Sequence, residues 1–293
     1  MTVGGSKAIQ ATTMAALALW IAFTILSILP PSASLGRTAS FMAIAMLFLF
    51  AIAHSIRRLG TRRSLVLLVS GMVIANIYEN LSISTGFPFG SYHHTAASGP
   101  WLLQVPIIVG PIFYSLCYLA WTLGTMILGT GSAKRSTLRV FGLPVIGAFI
   151  ATGWNLCSDP IGATIARSWV YAHSGAYYGV PLSNYLGWFL CTWTIIQCWT
   201  LYLEKTQGED TGPDAPLSYW YQASALWAAM GLQYPLLLLA SPASRTVTDT
   251  GGWAWRSGDI IQAAVIMSIY TMIAAAVTAT LAVTLRRETA AQA

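Results

Sequence analysis

Long apolar runs separated by short polar breaks organise this chain. Eight stretches are long enough to cross a hydrocarbon core, which takes about 20 helical residues. They cover roughly 8–29, 38–56, 64–84, 102–128, 138–157, 182–203, 218–240 and 259–285. The runs are continuous, whereas membrane β-barrel strands alternate apolar and polar positions. The pattern therefore predicts an all-α polytopic bundle of about eight transmembrane helices, forming a single transmembrane domain over 1–293.

Two connections stand apart from this pattern. Residues 85–101 and 158–181 are dense in Gly, Pro and aromatics. The second contains IGATIARSWVYAH (161–173), long enough for a short interfacial or re-entrant helix. Irregular backbone at membrane depth is tolerated only where protein or a cavity covers it. The polar, turn-rich segment 204–217 reads as a cytoplasmic connection.

Composition agrees with the pattern. Charged residues make up 8% of the chain and hydrophobic ones 56%, against roughly 25% charged in soluble domains. The net charge of +6 does not imply nucleic acid as a partner, because the basic residues cluster at span ends. Arg57, Arg58, Arg62, Arg63, Lys134, Arg135, Arg139, Arg286 and Arg287, with Lys7 and Lys205, fall on one side. Arg37, Arg167, Arg245 and Arg256 fall on the other, an imbalance of eleven to four. The positive-inside rule then gives a multi-pass protein of the cell membrane, with both termini cytoplasmic and both unusual connections on the non-cytoplasmic side. The first apolar run, about 22 residues, exceeds the 7–15 residues of a signal-peptide core, so it reads as a retained helix. Cys117, Cys157, Cys191 and Cys198 lie within or beside spans without a CxxC pair and read as packing residues.

Most acids fall where water is expected: Glu204, Glu209, Asp210, Asp214 and Glu288 in cytoplasmic segments, Asp249 in a loop. Glu79, Asp159 and Asp259 remain near or within spans, and segment direction brings all three toward one membrane face. Glu79 interrupts SLVLLVSGMVIANIYENLSIS (64–84), and an ionisable side chain inside a bilayer is a functional-site hypothesis by default. Asp159 precedes Pro160 and reads equally as a turn starter. Asp259 follows Ser257-Gly258 and reads equally as an acid favoured by a helix N-terminus.

Several chemistries lose support. There are no clustered HxxxH or HxxHH boxes, no HExxH, no DDxxD or NDxxD, and no P-loop, GxGxxG or GxSxG. No metal or other cofactor is expected. What remains is carboxylic acid among aromatic rings: Phe87, Phe89, Tyr92 and Trp101 in the first connection, and Trp154, Trp169, Tyr171, Tyr177, Tyr178, Tyr185 and Trp188 around the second. Interfacial aromatic belts account for part of this crowd, yet aromatic faces also stabilise cations. Burial favours the neutral form of a carboxyl, and a neutral carboxyl can deliver a proton to an electron-rich alkene. A helper group is needed to stabilise the resulting carboxylate. Asn80, Asn155 and His93 are candidates, with His173 and Asp259 as further auxiliaries. Asn76 reads as interhelical hydrogen-bond glue.

Two blocks of residues resemble the carotenoid biosynthesis protein family typified by the membrane carotenoid 1,2-hydratases. The first is Glu79 followed by Gly86-Phe87-Pro88-Phe89-Gly90-Ser91-Tyr92, Gly99-Pro100 and Val105-Pro106. The second runs from Trp154 through Asp159-Pro160, Trp169, Gly175, Tyr177-Tyr178-Gly179-Val180-Pro181, Asn184 and Gly187-Trp188. The resemblance covers about 70–190. It implies protonation of a terminal trisubstituted alkene and capture of the tertiary cation by water. Glu79 and Asp159 would be the acid pair, and Asn155 and Asn184 would position acid or water. Phe87, Phe89, Tyr92, Trp154, Trp169, Tyr171, Tyr177, Tyr178 and Trp188 would line the cation pocket. Two departures stand out: Asn155 where the family usually carries aspartate, and Tyr171 where it carries a second tryptophan. Loss of a water-activating acid would suit a cyclase, in which an internal alkene quenches the cation. A third reading is a non-catalytic carotenoid- or lipid-binding protein, against which a buried Glu79 argues. The partners implied are an isoprenoid or carotenoid substrate, membrane lipid and other carotenoid or terpenoid pathway enzymes.

Overall fold

In a bilayer every backbone N–H and C=O must find its partner within the protein, which makes helix the only open-chain solution. The computed structural model, which describes residues 3–96, 99–129, 137–206, 215–241 and 244–292, follows that rule. The order is α1 (Val3–Ile28), α2 (Ala33–Thr85), β1 (Tyr92–His94), β2 (Trp101–Leu102), β3 (Val105–Pro106), α3 (Val109–Leu128) and α4 (Leu143–Pro160). Then come β4 (Trp169–Tyr171), α5 (Leu182–Thr206), α6 (Leu217–Ala240), β5 (Thr246–Thr248), β6 (Ala254–Arg256), α7 (Ser257–Met267) and α8 (Ala274–Gln292). Single π-helical turns precede α4, follow it, and join α7 to α8. Lys134, Arg135 and most of the 204–217 connection lie outside the described residues.

Seven helical stretches among the described residues are long and apolar enough to cross a membrane. Eight spans were expected, and α2 accounts for the difference. Its 53 residues would extend about 80 Å at 1.5 Å per residue, more than twice a hydrocarbon core of about 30 Å. The break is Gly60, at φ 75° and ψ 166°. Tyr114 on α3 locates the two arms. Its hydroxyl meets Ser55 Oγ at 3.1 Å on the first arm, and its Cα lies 3.8 Å from the Cβ position of Gly71 on the second. In a straight helix those residues would be about 24 Å apart. The chain therefore turns back at Gly60, and α2 holds two antiparallel spans.

The second arm carries opposite characters on opposite faces. Leu65, Val69, Val73, Ile77 and Leu81 are exposed, a wholly apolar stripe suited to lipid. Leu67, Gly71, Ala75, Glu79 and Ser82 are buried, the i, i+4 spacing of one helix face. Glu79 thus points into the bundle. The centre of the bundle is α3, buried continuously from Phe113 to Met126. At the end bearing Arg57 and Arg58, His54 ties three helices together. Its Nε2–H donates to the Tyr219 carbonyl at 2.8 Å, and its Nδ1 receives the Tyr118 hydroxyl at 2.6 Å.

At the opposite end the two aromatic-rich connections pair with each other. β1 runs antiparallel to β4, with Tyr92 opposite Tyr171, His93 opposite Val170 and His94 opposite Trp169. The interfacial helix expected over 161–173 does not form. Pro160 has no N–H to continue the α-helical ladder; α4 loosens into the π-helical turn Ile161–Ile165 and the chain then enters β4. A second hairpin, β5–β6, packs beside it, held by Asp249. That carboxylate accepts from Ser174 Oγ and Trp255 Nε1, both at 2.7 Å, and from the N–H groups of Gly251 and Trp253. Burial acts to raise the Asp249 carboxyl, but these donors outweigh it and hold it below the ordinary aspartate value.

The turn at Gly60 is testable. Its backbone lies in a region that glycine alone adopts without strain, while nothing lies within 4 Å of a Cβ placed there. Gly60→Ala should therefore lower stability by about 1–3 kcal/mol through the backbone alone, read as the unfolding midpoint in detergent. An unchanged midpoint would contradict the turn.

Candidate functional site

The site is built where α2, α4 and α5 converge beneath the β1–β4 pair. Glu79 enters from the last two turns of α2. Asn155 and Asp159, four residues apart, share the buried face of α4 near its end. Asn184 and Trp188, also four apart, share the buried face of α5 near its start. In a strand, side chains alternate between faces, so Tyr92 and His94 on β1, and Tyr171 and Trp169 on β4, face inward together. All four line a cavity of about 100 Å³ with Glu79, Asp159, Phe89, Phe113, Trp154, Asn184 and Trp188. Val109 and Ile112 complete the lining.

Each acid is held by the tyrosine of its neighbouring strand. The Tyr92 hydroxyl donates to Glu79 Oε2 in a short contact. The Tyr171 hydroxyl donates to Asp159 Oδ2 at 3.3 Å. Because Tyr92 and Tyr171 sit opposite each other, with ring centroids 5.7 Å apart, one cross-strand pair holds both carboxyls over one space. Burial, with Asp159 close by, pushes the Tyr171 phenol well above its ordinary value. Tyr171 therefore acts as an O–H donor and not as a base.

Asp159 has a second donor in Asn184 Nδ2, at 2.5 Å. The same amide reaches Asn155 Oδ1 at 3.2 Å. Asn155 is fully buried behind Asp159 and does not line the cavity. Its Nδ2 neighbours the Asp159 carboxylate but completes no hydrogen bond. The two positions where the sequence departs from the resembled pattern, 155 and 171, thus both bear on Asp159.

The walls are aromatic. Phe113 and Trp188 stack at 4.3 Å, and Trp154 lies 5.6 Å from Trp188. Trp169 owes its place to Gly162, where any Cβ would stand 2.2 Å from the indole ring. An apolar cavity of about 150 Å³ holds a benzene-sized molecule. This one, of about 100 Å³, is smaller still and leaves no room for a folded polyene.

Sequence reasoning missed His94 and Phe113. His94 Nε2 lies 3.6 Å from Glu79 Oε2, too long for a hydrogen bond, and both ring nitrogens are buried without a partner. Strand alternation would have found it, since choosing Tyr92 on β1 selects His94 and rejects His93. Phe113 looks like any residue of an apolar run.

Other expected residues sit elsewhere. Phe87 is 58% exposed, because the turn that buries Phe89 carries its neighbour outward. Tyr177 and Tyr178 pack on Tyr185 and Trp255 behind the site, and do not line it. His93 and His173 are exposed. Asn80 donates to the Asn76 carbonyl at 2.8 Å within α2. Asp259 is exposed in the first turn of α7, the place a helix dipole favours for an acid, and it does not join Glu79 and Asp159. Among the described residues, no three His, Cys, Asp or Glu side chains gather as a metal-binding group.

Known proteins resemble this chain over part of its length. Over 130 residues the chain is 32% identical to bisanhydrobacterioruberin hydratase from Haloarcula japonica. The match covers 44% of this chain and 42% of that protein, less than half the length of either. No solved structure matches the chain. The family of carotenoid biosynthesis proteins matches residues 36–246, well over half of the sequence and every residue of the cavity lining. The chain belongs to the carotenoid biosynthesis protein family.

Proposed function

We propose that this protein hydrates the terminal trisubstituted alkene of an acyclic carotenoid end group. The observation that carries the reading is the placement of Glu79 and Asp159 over one aromatic-walled cavity. A binder of hydrocarbon gains nothing from two buried carboxyls, which are costly inside a membrane.

The donors around the acids suggest a division of labour. Glu79 receives one hydroxyl and Asp159 receives both a hydroxyl and an amide. Donors to a carboxylate favour its charged form, so Asp159 suits the anion that faces the cation and Glu79 suits the acid. Glu79 gives its proton to the less substituted alkene carbon, leaving a tertiary cation among Phe113, Trp154, Trp169 and Trp188. Their π-faces and the Asp159 carboxylate stabilise it. Water forms the C–O bond and gives up a proton to Asp159. Transfer of that proton back to Glu79 resets the pair.

Asn155 was the reason to weigh a cyclase. It lies behind Asp159 rather than in the cavity, so its side chain adjusts Asp159 and leaves a carboxylate at the reacting space. The hydratase name of the partial relative supports the same reading. The substrate enters from membrane lipid, with other carotenoid pathway enzymes as its source. The charge imbalance supports a cell-membrane protein with both termini cytoplasmic.

Expressed in a host that makes lycopene-type polyenes, the protein should yield products heavier by one water per reacted end, read by mass spectrometry. Products of unchanged mass would instead mean cyclisation. A general acid contributes about 10²–10⁴-fold to rate, so Glu79→Gln and Asp159→Asn should each reduce turnover at least a hundredfold at unchanged protein level. Near-normal turnover in either variant would remove that residue from the acid pair.

A further inference from the structure

Beside the site lies a second cavity of about 210 Å³. Arg167, Thr248 and Thr250 stand exposed at its rim, and Thr164 and Tyr171 are buried at its floor. Hydrogen bonds fix its walls across separate segments. Arg167 Nη2 donates to the Thr248 carbonyl at 2.6 Å, and Thr164 Oγ1 donates to the Tyr178 carbonyl at 2.5 Å. Asp249, the anchor of the β5–β6 hairpin, forms part of the same wall. A liquid water occupies about 30 Å³, so several waters fit. The first cavity is lined mainly by rings and aliphatic chains, whereas this one is lined largely by hydroxyl and charged side chains. Only Tyr171, among the lining residues, belongs to both.

We propose that the polar cavity is the water inlet of the site, with Tyr171 as the partition past which water reaches the cation beside Asp159. This rests on the hydration reading. A polyene inserting its end group from the bilayer brings no water with it and fills the apolar cavity, so the consumed water must come from another side. The polar cavity opens among exposed residues of the loops and reaches Tyr171, whose hydroxyl holds Asp159. Water delivered there meets the face of the cation nearest the carboxylate that takes up its proton.

Thr248→Trp and Thr250→Trp test the inlet, since both side chains stand at the exposed rim where a bulky ring can obstruct the opening without entering the bundle. The full-length protein is assayed with an acyclic polyene in deuterated water, following alcohol formation and deuterium in recovered alkene. Obstruction should lower alcohol at least tenfold while recovered polyene still gains deuterium at the protonated carbon, because the cation forms and reverts by losing a proton. Thr250→Ser keeps the opening and should retain the wild-type yield. Alcohol within twofold of wild type in both tryptophan variants would overturn the inlet. So would joint loss of alcohol and deuterium in a variant with an unchanged unfolding midpoint, since the obstruction would then act on the acid. A wild-type protein that forms no alcohol at all would overturn the hydration reading, and the inlet with it.

Discussion

The antiparallel pairing of Tyr92–His94 with Trp169–Tyr171 sets the rest of the site. Two acids on separate helices have no reason of their own to approach, since like charges in a low-dielectric interior repel and neutral carboxyls gain little. The strand pair supplies the reason. It fixes Tyr92 opposite Tyr171, and each phenol reaches down to one carboxyl. The same register sets His94 beside Trp169, closing the cavity with a second rung. Slipping either strand by one residue would turn its own two inward side chains outward, leaving His93 or Val170 over the acids.

The helices beneath that short sheet turn apolar side chains outward as well as inward. Apolar residues such as Leu65, Val69, Val73 and Ile77 face outward, so polar groups collect inside. There they must pair, because an unpaired polar group buried away from water costs about 1–3 kcal/mol. At one end His54, Tyr118 and Tyr219 satisfy one another. At the other end the His94 ring nitrogens and Asn155 Nδ2 complete no hydrogen bond, with His94 3.6 Å from Glu79.

Much of this was legible in the sequence. Continuous apolar runs gave the spans, and even the helix that breaks only at Gly60 was readable as two, because Arg57–Arg63 interrupt it with charge. Glu79 stood out as the acid with the weakest structural excuse, and the aromatic connections marked the end of the bundle where it lies. What was not legible depended on pairing between distant segments. Three-residue strands carry too little alternation to be seen, so His93 was favoured over His94 and a helix was expected where β4 lies. Asp259 shared its side of the membrane with the two acids but was claimed by its own helix terminus. Asn155 was singled out by type, yet only packing shows that it stands beside Asp159 and outside the cavity lining.

The central claim is that this cavity stabilises a tertiary carbocation. A prenyl chain ending in a dimethylammonium group carries that charge permanently in nearly the same shape, and transition-state analogues bind at least about 10²-fold more tightly than substrates. Its affinity, measured against the isosteric neutral hydrocarbon, should be higher by at least that factor in the wild type. The gap should collapse in Glu79→Gln/Asp159→Asn. Equal affinity for the cation and the hydrocarbon in the wild type would contradict the claim.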